Sequence, residues 1–115
     1  MKDQMDENAI DHATFAELQA SAGEDFVKEL VDTFFEEVPT MFDELRAALA
    51  AGNPDAFRRA AHSLKSNSQT FGALRLGAMA RELELRGLPA DGAPLDALAL
   101  EYASAKAALT VLRHG

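Results

Sequence analysis

The chemistry this chain can do centres on one histidine and the residues spaced around it. From Pro54 the sequence reads PDAFRRAAHSLKSNSQTFGA, which carries two rows at helical spacings of four, three, four and three. Phe57, Ala61, Leu64, Ser68 and Phe71 make the row expected to pack inward. One position on, Arg58, His62, Lys65, Gln69 and Gly72 make a polar row that flanks it. At 100° per residue, side chains three and four apart are surface neighbours. His62 is therefore expected at the edge of a packed seam, open to water, with Lys65 one turn on and Arg58 one turn back. A ring nitrogen so placed is a nucleophile suited to a phosphoryl group. It must be unprotonated to attack.

Holding such a row in place requires long, regular helices, and the sequence supplies them. Ala and Leu dominate the apolar residues and β-branched residues are sparse, a balance that favours helix. Asp11 or Thr14 is expected to cap a short first helix through about Ala20, with Phe15 and Leu18 as its apolar contacts and Ser21-Ala22-Gly23 ending it. A long helix follows from about Glu24 to Ala51, with an inward row of Val27, Val31, Phe34, Val38, Met41, Leu45 and Ala48. Pro39 lies inside it and is expected to bend it without breaking the phase of the seam. Gly52 closes that helix, and Asn53-Pro54 reads as an N-cap followed by proline at the first helical position. The histidine helix runs to Phe71, where Gly72 supplies a left-handed residue for a tight reversal. A fourth helix from Ala73 to Arg86 turns Ala73, Leu76, Ala80 and Leu83 inward; residues 87–92 form a loop. Pro94 opens the last helix, with the seam Leu95, Leu98, Tyr102, Ala105, Leu109 and Leu112. The fold class expected is all-α: an up-down antiparallel four-helix bundle with a short additional N-terminal helix. Residues 1–115 make a single domain, of which 1–10 are expected to be flexible.

Charge and composition exclude several classes. A formal net charge of −8 argues against nucleic-acid binding, which needs a basic face. That charge is unevenly spread. No acid occurs between Asp55 and Glu82, whereas Arg58, Arg59, Lys65, Arg75 and Arg81 all fall there. A basic patch kept around one histidine in an acidic protein calls for an anionic partner. There is no cysteine, hence no disulfide and no thiolate metal site. No histidine has Glu three residues before it, so a metal–carboxylate bundle is a poor reading and no metal site is expected. The start, MKDQMDENAIDH, is polar and acidic, so no signal peptide is expected, and no stretch is apolar for long enough to cross a bilayer. A cytoplasmic location is the expectation.

The segment Ala61-His62-Ser63-Leu64-Lys65-Ser66, continuing Asn67-Ser68-Gln69-Thr70-Phe71-Gly72-Ala73, resembles the signature of histidine phosphotransfer (HPt) domains. Leu83-Glu84 is similar to the L-E pair that follows one helix later in that family, and Phe26 through Pro39 resembles its second helix. The resemblance implies that His62 is a phosphoacceptor, exchanging a phosphoryl group reversibly with an aspartyl phosphate on a receiver domain. It implies that Lys65 steadies the phosphoryl oxygens and that residue 66 must be small; Ser66 stands where the family often has glycine. The implied partners are response-regulator receiver domains and a hybrid sensor histidine kinase, with this chain acting as a monomer.

Chemistry supports the same division of labour. Phosphoryl transfer asks the protein mainly to position groups and neutralise oxygens. With no Walker loop, no kinase Gly-rich loop and no acidic cluster for Mg²⁺, the chain is expected to bind no cofactor itself and to be a phosphotransfer intermediary without kinase activity. Mg²⁺ is expected on the partner receiver domain. Arg58 and Arg59 read as electrostatic and docking support, and Gly72 as a structural turn. Gln69 is either polar filler or a hydrogen-bond donor to the phosphoryl group; Glu84 either faces the site or is merely solvated. His12 and His114, near the ends of the chain, are read as incidental. The alternative is a non-catalytic helical interaction module in which His62 is a surface residue. A histidine-kinase dimerisation fragment fits less well, because such fragments usually carry an acid directly after the histidine.

Overall fold

The computed structural model describes residues 9–114, with the side chain of His114 outside the described residues. Five helices follow one another: α1 (His12–Ala22), α2 (Glu24–Ala51), α3 (Pro54–Thr70), α4 (Leu74–Arg86) and α5 (Ala93–His114). Among the described residues there is no strand. The four long helices form the bundle. α3 packs against α2 and α4, while α5 packs against α2 and α4 and lies across the bundle from α3. α1 lies against α2 and α3.

Each helix starts and stops for a local reason. The Asp11 carboxylate accepts the Thr14 N–H at 3.1 Å, capping α1, which runs two residues beyond the expected Ala20 before Gly23 ends it. α2 continues through Pro39, which is exposed on the outer side of the helix. Gly52 closes α2 in the left-handed conformation, and Asn53 Oδ1 accepts the Ala56 N–H at 3.2 Å with Pro54 at the first turn of α3. A cap of that kind contributes about 1 kcal/mol.

The seams supply the core. All seven inward residues expected of α2 are buried, as are the five expected on α3. On α5, Leu95, Leu98, Ala105 and Leu109 are buried and Tyr102 and Leu112 partly so. Phe34 and Phe71 stack with ring centroids 4.9 Å apart, tying the middle of α2 to the end of α3. Burial of such side chains contributes about 1.5–3 kcal/mol each before entropy is counted.

One expectation changes at the N-terminus. Of the stretch 1–10 expected to be flexible, 1–8 lie outside the described residues, but Ala9 and Ile10 are buried in the core. The Asp11 N–H donates to the Gly72 carbonyl at 2.7 Å, pinning this strand of chain across the α3–α4 reversal. Gly72 has φ +84°, and a Cβ there would meet the Asp11 carbonyl oxygen at 2.7 Å. Only glycine fits a left-handed residue under so close a neighbour.

Candidate functional site

His62 sits midway along α3 with its side chain 57 % exposed, on the flank of the buried row as the spacing requires. A depression of about 370 Å³ lies beside it, lined by Arg58, Arg59, His62, Ser63 and Glu84. Arg58 and Arg59 therefore share a surface with His62. The Arg58 guanidinium reaches toward Gly87 beyond α4, where a Cβ would lie 3.9 Å from it, and stands 4.0 Å from Asp55. Lys65 joins through Glu84 rather than by lining the depression. Ser66 is exposed on the following turn, and Gln69 is exposed one turn further, away from the depression. Gly72 is buried at the reversal, where its role is structural. His12 is exposed on α1, away from the depression. Among the described residues no group of three or more His, Asp and Glu side chains could hold a metal ion, and no helix is long and apolar enough to cross a membrane.

Glu84 is the member of the site that the sequence left open. One carboxylate oxygen lies 2.8 Å from Nδ1 of His62 and the other 2.8 Å from Nζ of Lys65. The patch is thus not purely basic: the acid-free run from Arg58 to Arg81 is met in space by Glu84 from the next helix. The Lys65 hydrogen bond first, and the His62 hydrogen bond second, hold the Glu84 carboxyl below its ordinary value of 4.5. An ionised carboxylate can only accept, so the ring nitrogen facing it is the protonated one. In the neutral ring Nδ1–H then donates to Glu84, and Nε2 carries the lone pair and faces away from α4. An oriented neutral imidazole with a carboxylate behind it is an arrangement for nucleophilic attack.

Packing explains how α4 reaches α3. Gly77 is buried on the face of α4 that carries Glu84 two turns later. A Cβ at Gly77 would lie 3.1 Å from Cγ of Gln69, 3.5 Å from the Lys65 carbonyl oxygen and 3.7 Å from Cβ of Ser68. Glycine facing the Lys65–Gln69 turn of α3 lets the two helices approach closely, and that approach brings a side chain of glutamate length within reach of both His62 and Lys65. Seven residues separate Gly77 from Glu84, two full turns on one face. That phase is a signal in the sequence, but it identifies a partner only once the facing helix is known.

Among curated proteins none matches the chain at a significant level. The sequence model of the Hpt domain matches residues 29–108. Among solved structures, the fold matches the crystal structure of histidine-containing phosphotransfer protein B (HptB) from Pseudomonas aeruginosa PAO1, with a TM-score of 0.83 and 33 % sequence identity, over 92 % of this chain and 95 % of that one. The matched segment contains the whole of α3 and α4, and with them His62, Lys65 and Glu84. By sequence and by fold, the chain belongs to the Hpt domain family of histidine-containing phosphotransfer proteins.

Proposed function

We propose that the chain is a relay: His62 takes a phosphoryl group from the aspartyl phosphate of one receiver domain and passes it to the aspartate of another. The observation that carries this reading is the Glu84 carboxylate 2.8 Å from Nδ1, which leaves Nε2 as the free nucleophile. In the step proposed, the Nε2 lone pair forms a bond to phosphorus as the bond between phosphorus and the aspartyl oxygen breaks, and the aspartate leaves as a carboxylate. The ring becomes positive as it attacks, and Glu84, still holding the Nδ1 proton, stabilises that charge. The reverse step uses the same groups, since the protonated ring is the better leaving group.

Lys65 supplies positive charge to the phosphoryl oxygens, shared with Glu84 at rest. Ser66 keeps the approach over the next turn open, and Gln69 offers an amide donor at its far edge. Arg58 and Arg59 draw the acidic site of a receiver toward the depression. Under this reading Mg²⁺ belongs to the receiver, the chain binds no cofactor of its own, and it works as a monomer in the cytoplasm between a hybrid sensor kinase and a response regulator.

The test is transfer of labelled phosphate from phosphorylated receiver domains of the source organism. Wild type is expected to acquire label and His62→Gln to acquire none while keeping its helical circular dichroism, because the side chain is exposed and its loss opens no cavity. Label on His62→Gln would overturn the assignment.

A further inference from the structure

Two glycines bring the α4 chain against α3 without a side chain between them. At Gly87, just past the end of α4, an added Cβ would lie 3.9 Å from the Arg58 guanidinium, an ordinary contact. At Gly77 the space is smaller. An added Cβ there would stand 3.1 Å from Cγ of Gln69, with the Lys65 carbonyl oxygen at 3.5 Å and Cβ of Ser68 at 3.7 Å. Gln69 is exposed and its side chain can swing aside. The Lys65 carbonyl belongs to the helix backbone and Ser68 is fully buried, so neither can yield. The Ser68 hydroxyl has no hydrogen-bond partner among the described residues, so it makes no polar tie to α4. Among those residues Glu84 makes the only side-chain hydrogen bonds and ion pairs between α3 and α4. The spacing at which Glu84 works is therefore left to steric contact along the seam.

That spacing has little tolerance. Both Glu84 contacts, to His62 Nδ1 and to Lys65 Nζ, are 2.8 Å long. Lengthening either by about 1 Å takes it out of hydrogen-bond range. A carbon added beyond Cβ at residue 77 reaches about 1.5 Å further toward α3. Once the carboxylate is withdrawn, nothing on α4 holds the proton on Nδ1, because the bond made by one ring nitrogen decides the state of the other. The ring then returns to the tautomer it favours in water, with the proton on Nε2.

We propose that Gly77 is a positioning residue for phosphoryl transfer. Seven residues before Glu84, it acts from about 10 Å along α4 and touches neither His62 nor the incoming phosphoryl group. It acts by having no side chain, which sets the helix spacing that lets Glu84 keep the proton on Nδ1. The inference rests on the reading that Nε2 of His62 is the nucleophile, but its first readout needs no receiver.

Gly77→Ala, Gly77→Val and Gly77→Leu make a series of increasing bulk, with circular dichroism as the control for folding. Two-bond hydrogen–nitrogen correlation of the ¹⁵N-histidine-labelled chain, at a pH where the ring is neutral, reads the His62 tautomer. Single-turnover label transfer at saturating receiver reads the rate. In Gly77→Ala the Gln69 side chain yields, so the wild-type tautomer and a rate within threefold of wild type are expected. In Gly77→Leu the proton is expected on Nε2, with transfer at least tenfold slower. A folded Gly77→Leu that keeps the proton on Nδ1, or transfers within threefold of wild type, would overturn the proposal. If Gly77→Leu does not fold, Gly77→Val decides by the same two readings. A tautomer that shifts along the series, in a chain whose wild type takes no label, would uphold the control of Glu84 by Gly77 and overturn the relay instead.

Discussion

Replacing Glu84 by glutamine keeps size and shape but changes what the group can accept, and the consequence can be worked through atom by atom. Both carboxylate oxygens are in use, one at 2.8 Å from His62 Nδ1 and one at 2.8 Å from Lys65 Nζ. An amide offers one accepting oxygen and an NH₂ that only donates. Facing the NH₂ toward an ammonium is repulsive, so the oxygen turns to Lys65 and the NH₂ to His62. Nδ1 must then accept, which moves the ring proton to Nε2, the atom that has to attack. In a buried triad the equivalent tautomer error costs about 10⁴ in rate. His62 is 57 % exposed, so water competes for the ring and the expected loss is nearer about 10². The assay is single-turnover transfer from a phosphorylated receiver at saturating concentration, with receiver binding measured separately. A rate within threefold of wild type would refute the tautomer argument. The same variant carries a pH signature. Lys65 and His62 hold the Glu84 carboxyl below 4.5 in the folded chain. Its contribution to stability is therefore full above the unfolded value and lost as pH falls through the lowered folded one. Urea unfolding should show the gap between wild type and Glu84→Gln narrowing from pH 7 to pH 3.

Three further outcomes follow from the same geometry. Lys65→Ala should slow transfer more than it weakens receiver binding, since charge compensation counts most in the transition state; an unchanged single-turnover rate would contradict that role. Ser66→Gln should block transfer without unfolding the bundle, whereas Ser66→Gly should retain it at a cost of about 0.5 kcal/mol in helix propensity; wild-type rates in the glutamine variant would show that receivers do not approach over this turn. Gly72→Ala should destabilise by about 1–2 kcal/mol for the left-handed backbone plus about 1 kcal/mol for the displaced Asp11–Gly72 hydrogen bond. Gly52→Ala, left-handed but with nothing within 4 Å of the added Cβ, should show only the first part; equal losses by urea denaturation would refute the clash.

The rows on α2, α3 and α5 were legible because bundle seams repeat along a single helix, and each inward residue is constrained by its neighbours three and four away. The position of His62 beside such a row follows from that periodicity alone. Glu84 was not legible in the same way. Its partners are 22 and 19 residues distant, and the contact depends on how closely α4 approaches α3 where Gly77 meets Lys65, Ser68 and Gln69. In sequence, Glu84 is one acid in a helix with charged residues on several faces. The burial of Ala9 and Ile10 was hidden for another reason. Two apolar residues in a polar stretch have no period, and the backbone hydrogen bond that follows them, from the Asp11 N–H to the Gly72 carbonyl, is announced by no side-chain pattern.

The central claim is that Glu84 holds the proton on Nδ1 and so leaves Nε2 of His62 as the phosphoacceptor. The most direct measurement is heteronuclear NMR of the ¹⁵N-histidine-labelled chain after transfer from a phosphorylated receiver, reading phosphorus–nitrogen coupling at each ring nitrogen. The account predicts one phosphorylated imidazole, that of His62, coupled through Nε2, with Nδ1 still bonded to Glu84. Coupling through Nδ1, or phosphate on His12 or on a serine, would contradict it.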